Sequence, residues 1–157
     1  MTPQTSTLPQ SPTARGQQRW FVGMLAEVKA SAADTGGMYT LVEITAPPHL
    51  EAPLHVHYDE DEGFYVLEGS ATVQVGDETV ELGPGRHAHG PRNVPHRFTI
   101  GPDGARMLWV LTPGGFERLV EEASVPAQTP TVPPAHVLPP ENAAEIVLKH
   151  GNELLAG

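Results

Sequence analysis

Short segments in which apolar and polar residues alternate recur along the middle of the chain, with Gly, Pro, Asn and Asp between them. A period of two residues is typical of a β-strand with one buried face, because successive side chains point to opposite faces of a sheet. Strands at such regular spacing, separated by turn residues, predict an all-β sandwich or barrel. The predicted strands cover residues 20–29, 39–46, 64–67, 72–75, 78–82, 86–90, 96–100 and 105–112.

Two turns in this pattern are predicted from their residue types. Gly76 and Asp77 form a two-residue loop between alternating segments, and such loops match the twist of paired strands, so a tight hairpin is expected. Residues 101–104, with the sequence Gly-Pro-Asp-Gly, predict a turn that ends one strand before the next begins.

The two ends of the chain differ from its middle. Residues 1–18 are rich in Thr, Pro, Gln and Ser and predict a disordered tail. Apolar spacing predicts a short helix over 116–123 and another over 141–155, with a proline-rich connector between them. We expect the second helix on the barrel exterior, on a partner subunit or over the barrel mouth. The expected organisation is a tail (1–18), a β-domain (19–125) and a connector with a C-terminal helix (126–157).

Composition narrows the classes of function. The 157 residues suffice for one domain, and a net charge of −10 with nine Lys and Arg argues against nucleic acid or an anionic membrane as a partner. The sequence has no cysteine, so any metal must be held by imidazole and carboxylate groups. No apolar run approaches the length of a membrane span, and we expect a cytoplasmic protein.

The residues best suited to chemistry lie between positions 55 and 96. His55 and His57 are two apart in a predicted strand, so both imidazoles point to one face. Glu62 reaches the same point only if residues 59–61 form a turn, which we interpret as solvated. His96, on a neighbouring strand, is placed to be a fourth ligand. Imidazole and carboxylate together suit one divalent transition metal: Fe, Ni, Mn, Co, Cu or Zn.

These residues match two motifs of a known family. His55, His57, Glu62 and Gly69 have the spacing H-x-H-x4-E-x6-G, which resembles the first motif of the cupin superfamily. Gly85, Pro91 and His96 resemble the second, G-x5-P-x-G-x2-H-x3-N. This chain has Asn93 at the motif's second glycine and Ile100 at its final Asn. Asn is tolerable at a glycine position because it adopts left-handed backbone conformations readily.

The resemblance implies a cupin jelly-roll β-barrel with an interior metal held by His55, His57, Glu62 and His96. The order of segments from residue 20 to about 126 is similar to bacterial single-domain cupins of the quercetinase type. That similarity implies a metal-dependent dioxygenase that cleaves a flavonol-like or other enolic aromatic molecule with O2, with Glu62 as general base. The expected substrate pocket contains Phe64, Phe98, Trp109 and Phe116, and a homodimer is expected.

The sequence leaves open the position of two histidines and the choice among three functions. His87 and His89 alternate within one predicted strand and either face the cavity as acid–base groups or lie on the outer face; we favour the outer face. A cupin isomerase or cyclase acting on a polyketide-like or sugar-like substrate, with the metal or a pocket histidine such as His87 moving protons, is one alternative function. A non-catalytic module that binds a small molecule is the other.

Overall fold

The computed structural model describes residues 17–156, which fold into one antiparallel β-sheet with two short helices. The predicted tail lies, up to residue 16, outside the described residues. The strands are β1 (Gln18–Phe21), β2 (Met24–Ala30), β3 (Thr40–Ala46), β4 (His55–His57), β5 (Asp61–Val75), β6 (Glu78–Leu82), β7 (His87–Gly90), β8 (His96–Thr112), β9 (Ser124–Pro126) and β10 (Asn152–Leu154). The helices are α1 (Glu117–Glu122) and α2 (Ala143–Lys149). The predicted all-β class is confirmed.

Strand β8 is the centre of the sheet. Its second half pairs with β3 on one side and β5 on the other, whereas its first residue, His96, pairs with both β4 and β5. The path runs β10-β4-β8-β3-β2-β1-β9, and β5 pairs with β6, β7 and β8. Inward-facing apolar residues of β2, β3, β5 and β8 form the core, including the fully buried Ile44, Val66 and Met107.

The strand predicted over residues 20–29 is wrong in one respect, because the segment is a hairpin of two strands. Val22 and Gly23 both have left-handed φ values, 44° and 83°, and together they turn the chain between β1 and β2. Two consecutive positive φ values are what a tight hairpin turn requires. The density of apolar residues concealed this turn, since Val is a poor indicator of a left-handed conformation.

The break predicted at residues 101–104 is also wrong, since β8 continues from His96 to Thr112. The ladder with β5 instead skips four residues: Ala71 pairs with Ile100, and Gly69 pairs with Ala105. The carbonyl of Gly101 accepts a hydrogen bond from His49 N–H at 3.2 Å, and Ala105 pairs with Ala46 of β3. Residues of turn type therefore form a bulge within β8 instead of ending it. The segment stays in the sheet because His49 and β3, which lie outside the β5–β8 pair, bond to it.

The helix predicted over residues 141–155 ends early. Helix α2 stops at Lys149, Gly151 adopts φ 77°, and β10 then pairs with β4, with Asn152 opposite His57. A glycine in the left-handed conformation is a common end of a helix. The C-terminal segment therefore joins the sheet beside β4. Neither helix in the described part of the chain is long and apolar enough to cross a membrane.

Gly69 should be the glycine least tolerant of substitution in β5. It has φ 74°, and an added Cβ would lie 1.9 Å from the carbonyl oxygen of Gly104, a backbone atom. Left-handed strain costs about 1–2 kcal/mol, and the backbone clash adds to it, so we expect Gly69→Ala to lower the free energy of unfolding by about 3 kcal/mol or more. Chemical denaturation measures the change.

Gly36 supplies the matched control. Its φ is 63°, and an added Cβ would meet nothing within 4 Å. Gly36→Ala should therefore cost only the conformational strain, about 1–2 kcal/mol. Equal losses in the two variants would show that the contact between Gly69 and Gly104 does not matter to stability.

Candidate metal centre

Three strands bring the four predicted ligands together. His55 and His57 lie on β4, Glu62 lies near the start of β5, and His96 begins β8 directly opposite His55. One ligand atom from each of the four lies within 4.8 Å of the others. Their convergence is a feature of the structure, and their role as metal ligands stays a prediction.

The connection between β4 and β5 explains how Glu62 can lie beside His57 although an odd number of positions separates them. Residues 58–60 form the turn, so the chain reverses and Glu62 returns to the face of His57. Pro91–Val94 positions the other side of the site, where Asn93 adopts φ 67° and its N–H donates to the carbonyl of His57 at 2.7 Å. The left-handed conformation anticipated for Asn93 is therefore present.

Glu62 is the electrostatic centre of the cluster. Its Oε2 lies 2.8 Å from His57 Nε2 and accepts a hydrogen bond from His96 Nε2 at 3.0 Å. Burial alone would raise the pKa of Glu62, but the charge of His57 and the hydrogen bond from His96 outweigh it and hold that pKa well below its usual range. A carboxylate this deeply buried is stable only with such partners.

Two of the histidines have shifted pKa values of opposite sign. Burial, reinforced by the nearby His96, lowers the pKa of His55 to about 4. Burial also acts to lower the pKa of His57, but Glu62 and Glu60 more than compensate and raise it to about 9. Without metal at pH 7, His55 is therefore neutral and His57 is protonated.

The donor set fits a transition metal ion. The Nδ1 atoms of His55, His57 and His96 lie 2.8, 3.0 and 3.4 Å from oxygen acceptors, so each Nε2 is the nitrogen left for another partner. In residues 17–156, His57 Nε2 is buried and makes no hydrogen bond of acceptable geometry. Imidazoles oriented through their second nitrogen, together with one carboxylate, are typical ligands of Zn, Fe, Ni, Mn and Cu.

Glu60 corrects the interpretation of the acidic turn. We predicted that it is solvated, but its side chain is buried and its Oε1 lies 3.0 Å from His57 Nδ1. Asp59, by contrast, is exposed. The residue types could not show which of the acidic residues 59–61 is buried against His57, because burial depends on the dihedral angles of the turn.

Glu60→Ala should lower metal affinity without removing any of the four predicted ligands. The Glu60 carboxylate fixes which nitrogen of His57 carries the proton, and loss of such a contact typically costs about 10–100-fold in affinity. Titration with Zn²⁺ measures the effect. Glu60→Gln, which keeps an oxygen acceptor, should retain most of the affinity, and Asp59→Ala should match the wild type. An unchanged Glu60→Ala would mean that His57 is oriented by packing alone.

Metal binding should release a proton near neutral pH. A ligand imidazole must be neutral, yet His57 carries a proton up to about pH 9 in the metal-free protein. Between pH 9 and pH 7, apparent affinity should therefore fall about tenfold for each pH unit, since the His57 proton competes with the metal. His55, with a pKa of about 4, adds no dependence above that pH. Calorimetry in buffers of different ionisation enthalpy counts the protons, and a count of zero at pH 7 would contradict this assignment.

A largely apolar pocket opens beside the cluster. His55, His57 and Glu62 form one part of its wall, and its volume is about 110 Å³. Three of the four predicted pocket residues, Phe98, Trp109 and Phe116, line it. Phe64 is not among the lining residues, although it is fully buried and packs edge-on against His96 and Trp109. Lining residues that the sequence did not indicate include Phe21, Met24, Val147, Asn152 and Leu154.

His87 and His89 lie outside this pocket. Both imidazoles are exposed on β7, and His89 Nε2 lies 3.7 Å from Asp61 Oδ2 on the adjacent strand. The outer-face alternative is the one the structure shows.

Comparison with known proteins agrees with the fold and the cluster. The model of the Cupin domain family matches residues 42–111, which include β4 through most of β8 and all four clustered residues. Residues 42–111, which contain the whole cluster, therefore match a Cupin domain.

Among individual proteins, it is similar to quercetin 2,3-dioxygenase of Bacillus subtilis (strain 168), with 31% identity over 93 residues. That alignment covers 59% of this chain and 28% of the relative, so it spans less than a third of the relative's length.

Solved structures show the same fold at lower identity. An RmlC-like cupin from Shewanella frigidimarina NCIMB 400 superposes with a TM-score of 0.57 at 19% identity, covering 66% of this chain and 89% of that one. KdgF from Halomonas sp. gives a TM-score of 0.55 at 16% identity, covering 63% and 96%.

Proposed function

We propose that this protein is a metal-dependent dioxygenase of the quercetinase type, cleaving a flavonol-like or other enolic aromatic molecule with O2. The observation that carries the proposal is the position of the buried His–Glu cluster in the wall of an aromatic pocket. The similarity to the Bacillus quercetin 2,3-dioxygenase supports the choice of reaction.

The proposed cofactor is one divalent transition metal held by His55, His57, Glu62 and His96. When bound, it would act as a Lewis acid that lowers the pKa of an enolic hydroxyl. Its identity is not specified by the donor set, because imidazole and carboxylate accept several metals.

Glu62 would remove the hydroxyl proton of the substrate. It is 2% exposed, lies in the pocket wall, and uses Oε2 for its contacts with His57 and His96. Phe98, Trp109 and Phe116 would hold a planar ring and exclude water from the site.

The test is measurement of O2 uptake and carbon monoxide release by metal-loaded protein with a panel of flavonols and smaller enols. Consumption of O2 with release of carbon monoxide supports the proposal. Product formation without O2 would favour an isomerase or cyclase instead, although His87 cannot serve as its pocket base because it is exposed on β7. Tight binding without turnover of any compound would favour a binding module.

We also propose that the protein is a cytoplasmic homodimer. The short terminal strands β9 and β10 leave sheet edges that a second copy would cover. Light scattering of the purified chain tests the dimer, and a monomeric mass would reject it.

A further inference from the structure

Three buried polar side-chain atoms in residues 17–156 make no hydrogen bond of acceptable geometry, and all three belong to residues that line one pocket. They are His57 Nε2, Trp109 Nε1 and Asn152 Oδ1. Buried polar groups are nearly always paired, because an unpaired one loses its hydrogen bonds to water without replacement. The proposed metal accounts for His57 Nε2 and leaves the other two unexplained.

Trp109 has no acceptor among its ring neighbours. Its side chain is 4% exposed and makes edge contacts with Phe64, Phe98 and Phe116, with ring centroids 6.2, 5.7 and 6.4 Å away. An indole N–H is a donor only, so its missing partner must be an acceptor. Trp20, the other tryptophan, shows the ordinary arrangement, since its Nε1 donates to the carbonyl of Thr131 at 2.9 Å.

Asn152 has an unpaired acceptor, whereas Trp109 has an unpaired donor. It is 2% exposed, pairs across β10 and β4 with His57, and donates from Nδ2 to the carbonyl of His150 at 3.0 Å. A carbonyl only accepts, so this bond fixes the amide orientation and leaves Oδ1 as the free atom. The missing partner of Oδ1 must be a donor.

We propose that Trp109 Nε1 and Asn152 Oδ1 orient the ligand of this pocket: the indole donates to a carbonyl or ring oxygen, and the amide oxygen accepts from a hydroxyl or amine. The inference rests on the proposed function for the enolic group that faces the metal cluster, and it deepens that function by naming a substrate class. The pocket, about 110 Å³, is similar in size to cavities that hold benzene, about 150 Å³. The ligand part inside it is a single ring that carries both an acceptor and a donor.

The test uses three probes of similar shape, titrated into the full chain both metal-free and loaded with Zn²⁺. Benzamide carries an acceptor and a donor, acetophenone an acceptor only, and isopropylbenzene neither. Trp109→Phe should weaken benzamide and acetophenone about fivefold to tenfold, the range of one net hydrogen bond, and leave isopropylbenzene within about twofold. Asn152→Leu should weaken benzamide alone. Trp20→Phe, the matched control, should change none.

Equal losses for all three probes would show that the substitutions act through pocket shape, and would overturn the inference. So would unchanged affinities, or a wild-type protein that binds no probe up to the solubility limit. Because none of these titrations involves O2 or turnover, the result is independent of the dioxygenase assay. If the probes behave as expected and no enol is cleaved, the dioxygenase proposal fails while the pocket assignment stands.

Discussion

His57→Ala is expected to abolish stoichiometric metal binding. The wild-type chain should bind about one divalent transition metal per chain, since a single cluster of four suitable ligands is found among the described residues. Removing His57 takes away one buried metal-ligating nitrogen. It also leaves the buried Glu60 carboxylate without its contact to the His57 imidazole. Loss of an outer-shell contact costs about 10–100-fold in affinity, so loss of a ligand should exceed about 100-fold. Elemental analysis and Zn²⁺ titration measure both quantities.

His87→Ala is the matched control for this experiment. It removes an imidazole from an exposed position on β7 and should leave metal content unchanged. If His87→Ala loses metal and His57→Ala retains it, the ion binds to surface histidines. If neither loses it, the interior cluster is not the metal site, and the dioxygenase proposal loses its cofactor.

The core of the candidate site could be predicted because its determinants are local. The period of a strand places His55 and His57 on one face, and the turn that follows returns Glu62 to them. Residues 76 and 77 likewise form the expected hairpin between β5 and β6, because a two-residue loop with glycine has few conformations. His96 required the additional step of pairing β8 with β4.

Features that depend on long-range pairing could not be predicted. Asn152 lies in the pocket only because α2 ends at Gly151 and β10 then pairs with β4, a contact between distant parts of the chain. Apolar spacing at residues 146, 147, 154 and 155 fits a continuous helix equally well, so nothing in the pattern distinguishes the two outcomes. Phe64 was expected in the pocket and is absent from it. It lies on the expected face of its strand but packs behind Trp109, whose ring reaches the pocket.

Glu62→Gln is expected to stop turnover while leaving the fold intact. Glutamine has nearly the same shape and keeps an oxygen near His57 and His96, but it cannot accept the hydroxyl proton of an enol. General-base catalysis contributes about 10²–10⁴-fold, so O2 uptake per bound metal should fall by that factor. Asp59→Asn removes an exposed carboxylate from the preceding turn and should keep the wild-type rate.

A second readout separates loss of the base from loss of the metal. The charge of Glu62 is the main influence that raises the pKa of His57 to about 9, against the effect of burial. In Glu62→Gln this pKa should fall, so metal binding at pH 7 should release less than the one proton expected of the wild type. A variant that retains metal, releases fewer protons and still turns over at the wild-type rate would show that Glu62 shapes the electrostatics of the site but does not act as the base.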